Sequence, residues 1–460
     1  MWRIVLLSMV LILTGSVSVL RADEAPYARA YLDQLNSRLT LIEAQVPAIT
    51  KAAEQAAEAI NSGRGDRGDR GFGVRGDAGL ANELSNRAGA MLGYDGRAGD
   101  PGDVIVYVFG VVRTDGQDMQ ALLTRQLKDA ARLSSLGSTV IGLGSVAQLR
   151  SLGHLDEAED ACAVLLDNTV RATERLSLNG LDNADAPVDT VLNASLAWAF
   201  ECELFSACTR LDRVPVVRQS FEIDTRKRRW LRYGSQRFHD DRWLDPIPPG
   251  KLGHAYLDGL REVLLDIGTA SWRRIARTAH RAQDTLASGG TVWLRAGGRY
   301  LPYHFGGQLA SDPGVFTALN HDGSDSRLAV PGEDDFVIAV GDSETAGSYE
   351  WGEPELLRGA GRGVAWIVNG YNTQPRDLYR REIMVDLWAP FGDGVVRVKN
   401  YDARLGPVTG VVGEAVTWMI TAEVVGEENG ESDHMDRMKA KADFTAESAQ
   451  GAEKDKENQE

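Results

Sequence analysis

The chain has 460 residues, enough for two or three domains at roughly 150 residues each. Its 43% hydrophobic and 25% charged residues suit a protein that buries sizeable cores. A formal net charge of −16 excludes general nucleic-acid binding, because a phosphate backbone needs a basic surface.

The first 22 residues read as an export signal: Arg3, then an apolar run from Ile4 to Leu13, then Leu20-Arg21-Ala22 before Asp23-Glu24. Export to a bacterial-type periplasm or the extracellular side is the expectation. Membrane attachment follows only if this segment is retained as an anchor; it is short for a spanning helix, which needs about 20 apolar residues. Cys162, Cys202 and Cys208 are expected as small buried hydrophobes, with Cys202 and Cys208 on different faces of one helix. No Cys-x-x-Cys or His-x-x-x-His spacing points to a metal, and nothing calls for a cofactor.

From Tyr27 onward the sequence repeats itself. Ala30-Tyr31-Leu32-Asp33 returns as Ala255-Tyr256-Leu257-Asp258, each opening a long amphipathic helix. Ile49 to Gly63 aligns without gaps to Ile275 to Gly289, both ending in Ser-Gly, a cheap left-handed helix stop. Asp103 to Val108 matches Asp335 to Val340, and Gly137 to Gly144 matches Gly363 to Gly370; both pairs read as strands buried on two faces. Helical stretches, Met119 to Leu136 and Glu353 to Gly361, lie between them and predict a βαβ unit. Pro187-Val188, Trp198 and Glu203 correspond to Pro407-Val408, Trp418 and Glu423, a closing helix with Pro near its start. Repetition of the glutamates predicts a structural role, such as pairing an Arg across the contact of the two copies. The run Gly63 to Gly71 (GRGDRGDRG) takes the place of the apolar strand Thr291 to Arg295 and is expected to be a loop.

Between the copies, residues 219–252 carry Arg226-Lys227-Arg228-Arg229-Trp230, expected to pack on an acidic neighbouring surface, and His239-Asp240-Asp241, expected as a solvated turn. The segment 427–460 is acidic and poor in apolar residues, the composition of a disordered tail. The expected domains are therefore 23–218 and 253–426.

Three stretches resemble the sugar isomerase (SIS) phosphosugar-binding family. Gly73 to Gly89 (GVRGDAGLANELSNRAG) is similar to the family's Gly-x-Gly loop and following helix. Asp103 to Gly116 resembles the strand leading to its Ser-rich second loop, and Pro407-Val-Thr-Gly-Val411 resembles the start of its closing helix. The resemblance covers roughly Tyr27 to Val425. It implies two tandem flavodoxin-like three-layer α/β/α domains forming an internal pseudo-dimer, with ligands near their contact.

What the resemblance implies for sites follows residue by residue. Gly73, Arg75 and Gly76 would line the first loop, and Glu83 would be the base that moves a proton between adjacent sugar carbons. The second loop would be Arg113, Thr114 and Gly116 in the first copy, Ser343 and Thr345 in the second, with Thr409 opening the closing helix. The family's Ser-x-Ser-Gly-x-Thr is absent from both copies, and Asp342 and Glu344 would repel a phosphate, so the first copy is the better phosphate site. Glu414, where the first copy has Ala194, and His304, just past a strand, are further catalytic candidates. The expected partner is a small carbohydrate derivative, either a phosphosugar or an amino sugar; a homo-oligomer is open. Three activities stay open: binding with sugar isomerase activity, a non-catalytic scaffold of degenerate SIS fold, and cleavage of amino-sugar ethers.

Overall fold

The structure is a computed structural model describing residues 25–62, 71–91, 99–110, 118–170, 188–220, 223, 225–234, 236–296, 315–319, 331–343, 357–370 and 381–426. The first half runs α1 (Pro26–Glu43), α2 (Val46–Asn61), β1 (Phe72–Arg75), α3 (Ala78–Asn86), β2 (Val104–Val108) and α4 (Met119–Ser135). It continues through β3 (Thr139–Gly144), α5 (Val146–Ser151), α6 (Leu155–Ala161), β4 (Val164–Asp167) and α7 (Asp189–Arg210). A short helix, α8 (Arg226–Tyr233), lies in the connector. The second half runs α9 (Lys251–Asp266), a π-helical corner at Ile267–Ser271, α10 (Trp272–Ala287), β5 (Val292–Ala296), β6 (Thr317–Ala318), β7 (Phe336–Ser343), β8 (Gly363–Asn369) and β9 (Glu382–Asp386). The hairpin β10 (Gly394–Arg397) and β11 (Arg404–Pro407) leads into α11, residues 409–426.

This is a mixed α/β architecture with parallel sheets. The first sheet has the order β1-β2-β3-β4 and the second β6-β5-β7-β8-β9, every pair parallel. All five residues of β2 are buried, and they divide by parity. Val104, Val106 and Val108 join a core that spans both halves, while Ile105 and Tyr107 pack with Leu123, Leu127 and Leu133 of α4. β7 divides likewise: Phe336, Ile338 and Val340 face the shared core, Val337 and Ala339 a smaller outer one. The period of two thus gives each sheet one face toward its own outer layer and one toward the common interior.

Helices fill that interior. α2 presents Ile49, Ala52, Ala53, Ala56, Ala57 and Ile60 at helical spacing, all buried. α7 is covered all round from Thr190 to Thr209, and α11 is buried at every position. A helix without a solvent face is a central one, and Trp198 and Trp418 are among the largest side chains fully enclosed there.

The glutamates of these two helices reach into opposite halves. Glu203 on α7 accepts from the backbone N–H groups of Gly250, Leu252 and Gly253 at the start of α9, and from the Thr50 hydroxyl. Glu423 on α11 accepts from Tyr27 and Ala28 at the start of α1. Each carboxylate satisfies orphan N–H groups at a helix start, where the dipole favours an anion, a structural role for the repeated glutamates. Asp103 and Asp335 also do one job twice. Asp103 accepts from Gly71 and Asp100, Asp335 from Thr291 and Gly332, which ties each strand start to its neighbour.

Three expectations need correction. The strand that stands where Val292–Ala296 stands is Phe72–Arg75, paired to β2 as β5 is to β7; residues 63–70 lie outside the described residues. Gly73 and Arg75 are therefore strand residues, not loop residues. The register also sets Thr139 opposite Val104 and Gly363 opposite Phe336, so the β3 match begins two residues later than Gly137. The helical stretch proposed from Glu353 is described only from residue 357, as a short turn that buries Leu357 and Ala360. The N-terminal segment and the tail from 427 are outside the described residues.

Candidate functional site at the carboxyl ends of the strands

Ligands of open parallel sheets sit beyond the carboxyl ends of the strands. In the first half that edge begins at Gly76. Its φ is +84°, and a Cβ there would lie 1.9 Å from the Val108 carbonyl oxygen, so the chain can turn this close to β2 only as glycine. Asp77 then caps α3, accepting from Gly79 and Leu80 at 2.8 and 3.2 Å.

Glu83 follows on α3 and is fully buried. Its Oε1 lies 3.2 Å from Nε of Arg87, whose Nη2 lies 3.2 Å from Asp393 of the second half. Gly410, at the start of α11, packs so tightly on Glu83 that a Cβ would come within 2.5 Å of Oε1. The contact between the halves here is filled by protein. Glu83 is an ion-pair member in that contact, with Arg87 and Gly410 packed on its carboxylate. Glu414 is likewise fully buried, close enough to Tyr31 to join burial in raising that phenol's pKa. Gly73 is paired in β1, and Arg75, at the end of the same strand, is half-buried beside Gly99.

The helix starts that could hold a phosphate already hold carboxylates. Asp118 accepts from Gln120 and Ala121 of α4, which follows the Arg113–Gly116 segment. At α5, Ser145 accepts from Gln148 and Asp167 from Val146. At α11, Asp393 accepts from Val408 and Thr409 at 3.1 and 2.8 Å, and the Thr409 hydroxyl accepts from Asn369. An added anion would have to displace a tethered one of the same sign.

The edge of the second sheet differs in one respect. Beyond β9, Asp386 Oδ1 accepts from the N–H of Gly370 and Trp388, and Trp388 takes a left-handed backbone with φ 55°. The indole is 43% exposed, and its Nε1 donates to Ser271 Oγ at 3.0 Å; Ser271 in turn donates to the Asp386 carbonyl. The ring is thus pinned by one edge while its body meets solvent. Sequence reasoning missed Trp388, Asp386 and Ser271; the signal was an Asp two residues before an aromatic at the end of a buried strand.

Of the other expected site residues, Arg113, Thr114, Gly116, His304 and Thr345 lie outside the described residues. Ser343 ends β7, its backbone in register with Asn369. A concavity of about 450 Å³ lined by Gln55, Glu58, Ser62 and Thr139 opens at the opposite, amino ends of β3 and β4, and none of the expected site residues lines it. Among the described residues no cluster of His, Cys, Asp and Glu could hold a metal ion.

No family model matches the chain, and no curated protein matches it. Solved structures do. The C-terminal domain of glucosamine-fructose-6-phosphate aminotransferase from Francisella tularensis is 9% identical, with 83% of this chain and 93% of that one covered and a TM-score of 0.42. A protein of Salmonella typhimurium LT2 assigned as sugar-binding is 11% identical, with 85% and 98% covered and a TM-score of 0.43.

Proposed function

We propose that the chain is an exported, non-isomerising carbohydrate-binding protein built from two SIS-like copies, and that it takes neutral or amino sugars rather than phosphosugars. The observation that carries this reading is the Trp388 indole: exposed, pinned by its edge, and set beside a half-buried carboxylate beyond the strand ends. A sugar ring stacks its C–H face on such a surface, and Asp386 suits a hydroxyl or ammonium group. The capped helix starts argue against phosphate, and the burial of Glu83 and Glu414 argues against either acting as a base. Reciprocal capping by Glu203 and Glu423 supports the reading of two copies related as a pseudo-dimer.

Calorimetric titration of the full chain with glucosamine, N-acetylglucosamine and glucosamine 6-phosphate tests it. Binding of the first two is expected, with phosphate adding little and Trp388→Ala weakening affinity about tenfold or more. Full affinity in Trp388→Ala, or a phosphosugar bound about 100-fold more tightly than its parent sugar, overturns it. Solvent deuterium entering C2 of a hexose 6-phosphate would restore isomerase activity to the reading.

A further inference from the structure

The connector carries a feature that sugar binding does not use. α8 (Arg226–Tyr233) is docked by one side only. Arg229 is buried, donating to the Val217 carbonyl, the Tyr401 hydroxyl and Asp402, and Tyr233 donates to Asp241. At about 100° per residue these two define the inner face, and the direction straight away from the protein belongs to Leu231, flanked by Lys227, Arg228 and Trp230. Exposure agrees: Leu231 is 77% exposed and Trp230 51%. Trp243, 69% exposed, follows Asp241 and Arg242, which pack on Arg232 and Tyr233 of the helix. Among the described residues neither Lys227 nor Arg228 has an ion-pair partner. Leu231 and Trp230 thus lie exposed beside Lys227 and Arg228, with the exposed Trp243 in the segment that packs on the helix end, on a chain of net charge −16.

We propose that α8 and Trp243 form a docking surface for an anionic lipid bilayer. Tryptophan rings favour the headgroup level, leucine enters the acyl boundary, and Lys and Arg meet anionic lipid, the pattern of helices that lie on a membrane without crossing it. An acidic protein partner fits less well. A stable protein interface covers about 800 Å² on each side, and an eight-residue helix about 12 Å long offers much less. No helix among the described residues is long and apolar enough to cross a membrane, so the contact is peripheral.

Co-sedimentation of the full chain with phosphatidylcholine vesicles, and with vesicles half phosphatidylglycerol, is the test. The N-terminal segment, with Arg3 and Arg21, is the same in parent and variants, so the change between parent and variants isolates α8. Stronger binding to the anionic vesicles is expected, weakening with added salt. The double variant Lys227→Glu, Arg228→Glu should reduce it about 20-fold or more, and Leu231→Asp should reduce it with both basic residues intact. These side chains are exposed, so circular dichroism should be unchanged. Equal binding to the two vesicle types, or anionic binding untouched in both variants, overturns the proposal. Binding to poly-glutamate with none to vesicles also overturns it, and assigns the surface to an acidic protein.

Discussion

The turn after the last strand can be compared in the two halves. Asp167-Asn168-Thr169 follows β4, and Asp386-Leu387-Trp388 follows β9. In both the Asp carboxylate accepts from the N–H two residues on, and that residue is left-handed, φ 65° at Thr169 and 55° at Trp388. In both a polar side chain at the corner between the first two helices donates to the Asp carbonyl, Gln45 at 3.0 Å and Ser271 at 2.7 Å. The side chains diverge: Thr169 is buried, with its carbonyl taking a bond from Arg38, whereas Trp388 faces solvent. Because the strained backbone recurs without the exposed ring, the strain belongs to the turn. What is particular to the second half is the indole, which is why the proposed binding rests on it.

The largest effect that would sharpen this comparison lies in the two caps. Glu203 receives from three backbone N–H groups and a hydroxyl, Glu423 from two backbone N–H groups. Glu203→Ala should cost about 4 kcal/mol and Glu423→Ala about 2 kcal/mol, since buried donors left without acceptors bear their full desolvation cost. Urea unfolding measures both; equal losses would show that the halves are fastened alike.

Next in size is an effect of pH on the connector, which has no counterpart in the other half. Burial, then the charges of Arg229 and Arg242, lower the His239 pKa to about 4, against the opposing Asp241 and Asp402. The unfolded ring titrates near 6.5, so between those values the unfolded chain binds the extra proton. Stability is therefore full above about pH 6.5 and falls as pH drops towards 4, by about 2 kcal/mol. His239→Gln should flatten that part of the pH–stability curve; an unchanged slope would remove His239 as its source.

The smallest effect is the most direct test of the two turns. Glycine relieves left-handed strain by about 1 kcal/mol. Trp388→Gly loses an exposed ring and one hydrogen bond, so its stability should stay within about 1 kcal/mol of the parent while sugar binding is lost. Thr169→Gly should leave binding intact, and thermal unfolding with titration separates the two. Loss of binding in Thr169→Gly would erase the distinction between the turns.

Much of this architecture is legible in the residues. The all-buried strand Val104–Val108, helix α4 and the closing helices appear where apolar periodicity puts them, because burial on two faces, on one face or all round leaves a pattern in one dimension. β1 escapes that reading because Gly73 and Arg75 interrupt a four-residue strand that long-range pairing alone completes. The two-residue offset at β3 escapes it too, since glycines at 137 and 363 look equivalent until β2 and β7 fix the registers. At the site, a glutamate after a Gly-rich turn reads as a base, and only Arg87 and Gly410 packed on it show otherwise. Trp388 went unnoticed because an exposed aromatic has no period.

The exchange of caps also bears on how the chain is made. The start of α1 is completed by a residue 395 positions or more further along, so this helix waits for a segment that leaves the ribosome much later. The first half, released alone, would present a helix start without its acceptor and an uncovered α7. Assembly is therefore a late, concerted event, and a nascent chain halted before residue 423 should stay open to proteases and chaperones.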